Sequence, residues 1–378
     1  MPRTIARLLT IGHSYVIANN RRLAHEMALQ GRGRWEVTAI APERLRADLR
    51  DARLEPIAGE ACAVRALPIA IGSIPHCRFY RGLKRVLDAG WDVVHVREEP
   101  YVASGAQIAA LAPARARLVP ATFQNIVKRY PPPFNVFEGS VVRRAAAWIA
   151  FGETVHEAQR GKPMYAAKPS RVIPPGVDVD RFTPDERSRT AIRDKFGWRR
   201  DTPVVGYLGR FVPEKGLGTL MRALEHAAQP WKALVVGGGP MLSELTDFSQ
   251  SHPDRVKVLT GVTHDEVPAY LNAMDVLCAP SETTSQWREQ FGRMLIEAMA
   301  CGVPVIASRS GEIPHVLSDA GVLIEERDIA GLTQAIDSLL GDPGTRRELA
   351  SKGLTRARER FAWPIVARAH LAFFEELL

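Results

Sequence analysis

Short β-branched runs alternate with helix-like segments along the whole chain, and the alternation stops once and starts again. No other feature of the sequence constrains the fold as much. In the first half the runs are ARLLTIG, WEVTAIAP, VHVREE and RLVPATFQN, separated by helix-like stretches such as 20–29 and 106–114. The second half restarts with TPVVGYLGR, WKALVVGGG, VKVLTG, DVLCAP, VPVIAS and AGVLI, with helices expected over 217–228, near 266–273 and near 294–301. A parallel neighbour can be reached only by a crossover, so strands that alternate with helices predict an α/β fold with two doubly wound sheets. Between the halves, RVIPPGVDVDRFTP brings Pro174, Pro175 and Gly176 together, which stops regular structure and marks a linker. The expected organisation is a first unit over 1–175, a linker and start of the second over 176–200, a second unit over 201–360, and a terminal helix over 361–378. That helix either caps the second unit or crosses back to the first.

Charge divides along the same line. The 378 residues carry 50 Lys+Arg and 42 Asp+Glu, a net of +8. Residues 1–175 hold 26 basic and 14 acidic side chains (net +12), and residues 176–378 hold 24 and 28 (net −4). Nucleic acid is not an expected partner, since Trp148, Trp287 and Trp363 are not interleaved with a basic repeat. The basic first half suits an anionic acceptor or an acidic membrane surface. Cys62, Cys77, Cys278 and Cys301 lie far apart without metal-like spacing, which indicates neither a disulfide scaffold nor a zinc site and fits a reducing compartment. The apolar run from Leu8 to Ile11 is too short to span a bilayer and shows no cleavage pattern after it. The stretch 141–151, interrupted by Arg143 and Arg144, reads as an amphipathic or domain-packing helix. A cytoplasmic protein is expected, with peripheral contact at the inner face of the membrane left open.

The strongest chemical signal is PSETTSQWREQFGRMLIEAMACGVPVIASRSGEIPHVL over 280–317, where a strand ends in a polar loop that feeds a helix. In open α/β sheets ligands bind outside the carboxyl ends of the strands, and helix N-termini there offer N–H groups to anions. Phe291, Gly292 and Arg293 open that helix, with Glu289 just before it and Glu297 inside it, a spacing that suits a polyhydroxylated ligand. A solvated helix surface is the plain alternative for both carboxylates. In GYLGRFVPEKGLGTL, Gly209 ends a strand and Arg210 and Lys215 flank a glycine-containing turn. Two cations there suit a diphosphate and can stabilise charge that grows on a leaving group. Gly238 and Gly239 add a second flexible strand-to-helix turn, and His264 follows a strand near the expected crevice.

Neither a dinucleotide fingerprint nor a phosphate loop of the GxxxxGK type occurs. Asp178 and Asp180 form a D-x-D in the linker, where solvation or capping is a better reading than metal binding. In the first half His13 follows the first strand, and His95, Arg97, Glu98 and Glu99 follow another. A structural hydrogen bond competes with a substrate contact for both histidines. TFQNIVKRYPPP, with Gln124, Asn125, Lys128 and Arg129, reads as an acceptor-side loop or lid, against a domain-surface loop.

Together GRFVPEKG (209–216), VVGGGP (235–240) and PSETTSQWREQFGRMLIEAMACGVPVIAS (280–308) resemble a GT-B glycosyltransferase of glycosyltransferase family 4, a retaining, sugar-nucleotide-dependent group. The resemblance covers nearly the whole chain and is strongest over 205–317. It implies two Rossmann-like domains facing across a deep cleft, with the donor held by the second and the acceptor approached from the first. Carried onto this sequence, it makes Arg210 and Lys215 contacts of the donor diphosphate, Glu289 the carboxylate beside the donor sugar, and Glu297 the ribose-binding carboxylate of an E-x7-E motif. The backbone from Phe291 to Met294 would meet sugar hydroxyls or phosphate. The family usually needs no metal in a D-x-D motif, and in many members the terminal helix crosses back.

Departures fall mainly on the acceptor side. Gly12, His13 and Ser14 stand where many members have a Gly-Gly turn, and Gln124 or Asn125 where many have a histidine. The loop from Pro280 to Glu289 is longer than the compact family phrase, so Trp287 and Arg288 are candidates to shape the sugar pocket. The reaction implied is transfer of a sugar, most simply a hexose, from a UDP- or GDP-sugar to a hydroxyl of a glycan, lipid-linked sugar or small molecule, with retention and without a protein nucleophile. A sugar-nucleotide epimerase and a noncatalytic sugar-nucleotide sensor are the alternatives.

Overall fold

The computed structural model describes residues 5–46, 51–71 and 74–378. The chain divides into two compact units, Met1–Gly176 with Trp363–Leu378, and Val177–Ala362.

The first unit is built on β1 (Ala6–Ile11), β2 (Trp35–Pro42), β3 (Ala63–Leu67), β4 (Val93–Val96), β5 (Arg117–Thr122), β6 (Trp148–Ala150) and β7 (Ser170–Val172). They form one sheet in the order β7-β6-β5-β4-β1-β2-β3, with every pair parallel. Its central strands are apolar on both faces, as a sheet covered on both sides requires: Leu8, Leu9, Ile11, Val93, Val94 and Val96 are all fully buried. The stretch 141–151, expected as one helix, is divided. A helix over Phe134–Arg144 ends at Arg144, and Trp148–Ala150 is strand β6, because Ala145–Ala147 carry the chain from the helix into the sheet.

The second unit contains β8 (Val204–Arg210), β9 (Lys232–Gly238), β10 (Val256–Leu259), β11 (Val276–Ala279), β12 (Val305–Ser308) and β13 (Gly321–Ile324). Their order is β10-β9-β8-β11-β12-β13, again all parallel, so strand order reverses direction at the β8/β11 pair. This is the strand order of a dinucleotide-type doubly wound sheet, with its switch point beside β8.

Four helices place the site and the terminal segment: α1 (Ala18–Gln30), α2 (Leu217–His226), α3 (Arg293–Ala300) and α4 (Trp363–Glu375). On α4, Trp363, Val366, Ala367, His370, Leu371 and Phe374 recur at helical spacing and form one buried face, packed against α1 in the first unit. Trp363 lies on Gly176, where a Cβ would stand 2.3 Å from the indole ring. The chain therefore leaves and re-enters the first unit at a point that excludes any side chain at 176. No helix among the described residues is long and apolar enough to cross a membrane.

Beneath α4, His370 meets His95 and Phe374 with ring centroids 5.4 and 6.0 Å apart. Burial holds His370 down to about 3 and His95 well below the usual imidazole range. An unfolded imidazole takes a proton near pH ~6.5, so as pH falls below that value the unfolded chain gains protons that the native core refuses. Stability is then present above about pH 6.5 and lost progressively as pH falls toward 3. His370→Leu is expected to remove its share. Between pH 7 and 5 the wild type should lose about 2 kcal/mol more than the variant in urea denaturation, and parallel losses would show that His370 ionises without cost.

Candidate functional site

In the second unit the site begins where β8 ends. Gly209 and Arg210 run beside Gly237 and Gly238 at the end of β9, an approach that needs bare backbone. A Cβ on Gly237 would stand 1.8 Å from the Gly209 carbonyl oxygen, and one on Gly239 2.6 Å from that of Phe211. Gly238 has open space around it, and its carbonyl accepts the Phe211 N–H at 2.8 Å. The Arg210 side chain is exposed, and its guanidinium stands 4.0 Å from the Glu214 carboxylate. At that exposure an ion pair holds the side chain weakly, so Arg210 can turn to another anion.

Lys215 is placed in the opposite way. It closes the 3-10 turn Pro213–Lys215, and Gly216, at φ 70°, redirects the chain into α2. A Cβ at 216 would stand 1.8 Å from the Pro280 carbonyl oxygen, so the turn lies directly on the end of β11. The Lys215 Nζ, on a residue 8% exposed, donates to Glu289 Oε2 at 2.5 Å, and Ser281 Oγ donates to the same oxygen at 3.0 Å. The Trp287 ring centroid is 4.8 Å from Nζ. The Glu289 backbone is held as well: its carbonyl accepts the Glu312 N–H at 3.0 Å, and a Cβ on Gly311 would come within 1.9 Å of it. A buried ammonium and carboxylate thus meet at the switch point, where each would be costly without the other.

Helix α3 starts at Arg293 with Gly292, at φ 77°, as its cap and no side-chain hydrogen bond to its first turn. Phe291 and Met294 point inward: both are buried, and Phe291 packs edge-on against Phe361 at 5.8 Å. The side chains at 291 and 294 are therefore core, which leaves their main-chain groups for any ligand. One turn further on, Glu297 Oε1 lies 3.2 Å from His264 Nε2. Arg181 donates to His264 Nδ1, and arginine can only donate, so the ring proton sits on Nε2 and is given to Glu297. His264 is a partner of Glu297, and its imidazole is occupied at both nitrogens. At the start of the second unit, Asp178 Oδ1 accepts the N–H groups of Asp180 and Arg181 at 3.3 and 3.2 Å, a turn-capping role. Among the described residues, no group of three His, Cys, Asp or Glu side chains is placed to hold a metal ion.

The first unit gathers a second polar cluster at the ends of β1 and β4. Glu98 accepts the His13 main-chain N–H at 2.6 Å and the Tyr80 hydroxyl at 2.9 Å, and its second oxygen is 2.9 Å from His13 Nδ1. His13 and Tyr80 stack at 4.8 Å. His95 does not join them. It lies inside β4, fully buried, with Nδ1 3.1 Å from Thr10 Oγ1 and its ring against α4. The expected acceptor contact at His95 is corrected by that burial: β4 is a central strand covered on both faces, so every side chain it carries is core.

Gln124 is also engaged within its own loop. Its Nε2 donates to the Tyr130 hydroxyl at 3.1 Å, its Oε1 accepts the Ile126 N–H at 3.2 Å, and its carbonyl accepts from Gln159 at 2.7 Å. Asn125 is buried, Lys128 half-buried and Arg129 exposed. Glu99, by contrast, accepts from the Thr122 hydroxyl and the Phe123 N–H at 2.6 and 2.7 Å, and burial raises its carboxyl to about 6.

Motif spacing does not single out Ser281, Gly311 or Tyr80. The PSE and SGE phrases could have pointed to the first two, since each follows a strand, whereas nothing local marks Tyr80.

Residues 188–356 match the profile of the family described as glycosyl transferases group 1. A GDP-mannose-dependent alpha-(1-6)-phosphatidylinositol monomannoside mannosyltransferase of Mycolicibacterium smegmatis is 36% identical over 200 residues, covering 50% of this chain and 52% of that protein. A D-inositol 3-phosphate glycosyltransferase of Xylanimonas cellulosilytica is 34% identical over 253 residues, covering 63% of this chain and 59% of that protein. The chain thus spans a little over half the length of the curated relatives it matches. Among solved structures, Anabaena HepE in complex with UDP superposes with a TM-score of 0.76 at 20% identity over 98% of this chain and 100% of that one. A Rickettsia africae glycosyltransferase gives 0.77 at 16%, covering 99% of each. The chain has the GT-B fold, with two Rossmann-like α/β domains. It is related to glycosyltransferases of the family 4 type, mannosyltransferases among them.

Gly216→Ala asks a residue with a Cβ to hold a left-handed backbone against a carbonyl oxygen. It is expected to cost more than about 2 kcal/mol, whereas Gly218→Ala, in the open first turn of α2, should be neutral or stabilising by up to about 1 kcal/mol. Chemical denaturation of the pair measures the difference, and equal midpoints would mean the turn is not held against β11.

Proposed function

We propose that this protein is a retaining glycosyltransferase that moves a hexosyl group from a nucleotide diphosphate sugar to an acceptor hydroxyl. The observation that carries the reading is the Lys215–Glu289 pair at the switch point of the family-matched domain, with Arg210 exposed at the end of β8. Arg210 and Lys215 receive the donor diphosphate and stabilise the charge that accumulates on it as the glycosidic bond breaks. This contribution grows from ground state to transition state and therefore accelerates the reaction. The departing diphosphate takes the acceptor proton on the same face of the sugar, which retains the anomeric configuration. Glu289, fixed through Lys215, Ser281 and its own backbone, orients the sugar. Glu297, oriented by His264, takes the ribose hydroxyls. The first turn of α3 offers main-chain N–H groups to sugar or phosphate.

The relatives' names favour GDP-mannose as the first donor to test and an inositol-based or lipid-linked acceptor. On the acceptor side, His13, Glu98, Lys128 and Arg129 are the proposed contacts. The net charge of +12 over 1–175, with exposed Ile71, Ile74, Val127 and Val136, supports peripheral contact with an anionic membrane surface. Sedimentation with phosphatidylglycerol vesicles should then be strong at low salt and weaken as salt rises, and indifference to the vesicles would remove the membrane from the proposal.

A donor panel of UDP- and GDP-sugars, read by mass and by anomeric NMR of the product, tests the reaction itself. Retained glycoside that appears only with acceptor supports transfer, an altered sugar nucleotide without acceptor identifies an epimerase, and binding without turnover a sensor. Arg210→Ala and Lys215→Ala should each lower kcat/KM about 10²-fold or more. Glu297→Ala should raise the donor KM, and Glu289→Ala should lower kcat. Parent-like kinetics in all four would remove these assignments.

A further inference from the structure

The Lys215 ammonium has a second companion besides Glu289. Its Nζ lies over the Trp287 indole at 4.8 Å, in a loop that the sequence alone suggested as part of a sugar pocket. We propose that Trp287 is a positioning residue for the donor diphosphate, acting through Lys215. The indole face and the Glu289 carboxylate hold the ammonium between them and leave an N–H for an anionic oxygen of a nucleoside diphosphate. The inference rests on the donor reading of the second unit and adds a residue to it.

The chemistry follows from counting charges and donors. An ammonium has three N–H groups, and one of them goes to Glu289 Oε2. Two carboxylates around Lys215 would have made the cluster net negative and repelled a diphosphate. One carboxylate and a π face keep it neutral, because the indole attracts the cation through its quadrupole without carrying a charge. A half-buried Trp287 also removes water from one side of Nζ, which strengthens the contact of that cation with an entering anion.

The indole is held where it is by the loop around it. Thr284 donates its main-chain N–H to the Trp287 carbonyl at 2.8 Å, and its hydroxyl oxygen accepts the Trp287 N–H at 3.0 Å, closing a tight turn. Upstream, the Thr283 hydroxyl and N–H both bond Glu326, at 2.5 and 2.6 Å. Glu282 accepts from Thr219 of α2 at 2.8 Å and from Arg327 at 3.0 Å, while its N–H goes to the Glu214 carbonyl at 2.8 Å. The loop is thereby tied to the same turn that carries Lys215, so cation and indole keep one geometry.

Calorimetric titration of the full chain with UDP and with GDP tests the proposal. For whichever nucleotide binds, Trp287→Leu should raise Kd on the order of tenfold, and Trp287→Phe should recover to within about threefold of the parent, in the order of cation–π strength. In a Lys215→Ala background Trp287→Leu should add no further loss, since its effect passes through the missing ammonium. A Kd for Trp287→Leu within about twofold of the parent overturns the proposal and leaves the donor reading intact. So does an equal penalty in the Lys215→Ala background, which would place the indole on the nucleotide itself. Failure of the parent to bind either nucleotide overturns the donor reading and this inference together.

Discussion

Parallel strands cannot be joined by tight turns, and the rest of this structure depends on that constraint. Each crossover carries the chain back across the sheet through a helix, so every strand delivers its successor loop to the same edge. In the second unit this brings the turn after β8 and the long loop after β11 side by side at the switch point. Lys215 and Glu289, 74 residues apart in sequence, become neighbours without any local signal linking them. The first unit obeys the same rule, and His13 and Glu98 meet at the ends of β1 and β4 across 85 residues.

The two clusters differ in what surrounds the charge. Around Lys215, one carboxylate, itself bonded by the Ser281 hydroxyl, and one indole hold a cation in a nearly dry place, and several glycines let backbone approach backbone where a Cβ would collide. Gly216 against Pro280 and Gly311 against Glu289 are the clearest of these. Such contacts leave little freedom for the loops and keep the ammonium's direction constant, which is what stabilisation of developing charge requires. Around His13 the carboxylate of Glu98 serves three donors, the histidine's main chain and ring and the tyrosine hydroxyl. The basic excess over 1–175 lies elsewhere on the first unit, on exposed side chains such as Arg129, where it acts at longer range and is screened by salt.

Much of the architecture is legible in the sequence. The alternation of β-branched runs and helical stretches yields two doubly wound sheets, and the expected helices over 217–228 and near 294–301 fall at Leu217–His226 and Arg293–Ala300. The stretch 141–151 is not legible in this way, because its apolar residues serve a helix end and then a strand, and hydrophobic periodicity over so short a run does not distinguish the two. His95 reads as an end-of-strand group, yet it sits within β4, a central strand buried along its whole length, so that either face turns a side chain into core.

The order of residues along the chain is thus enough to determine the repeated βα pattern, the glycines at tight turns, and the cations and carboxylates carried by the loops that follow the strands. Tertiary structure alone decided which of them touch. It turned Phe291 and Met294 into core, gave His264 to Glu297, and set Trp287 over Lys215. The physical reason is that local pattern specifies which face of an element is buried, whereas contacts between loops depend on strand order and register across the sheet. Those are settled only when the whole core packs.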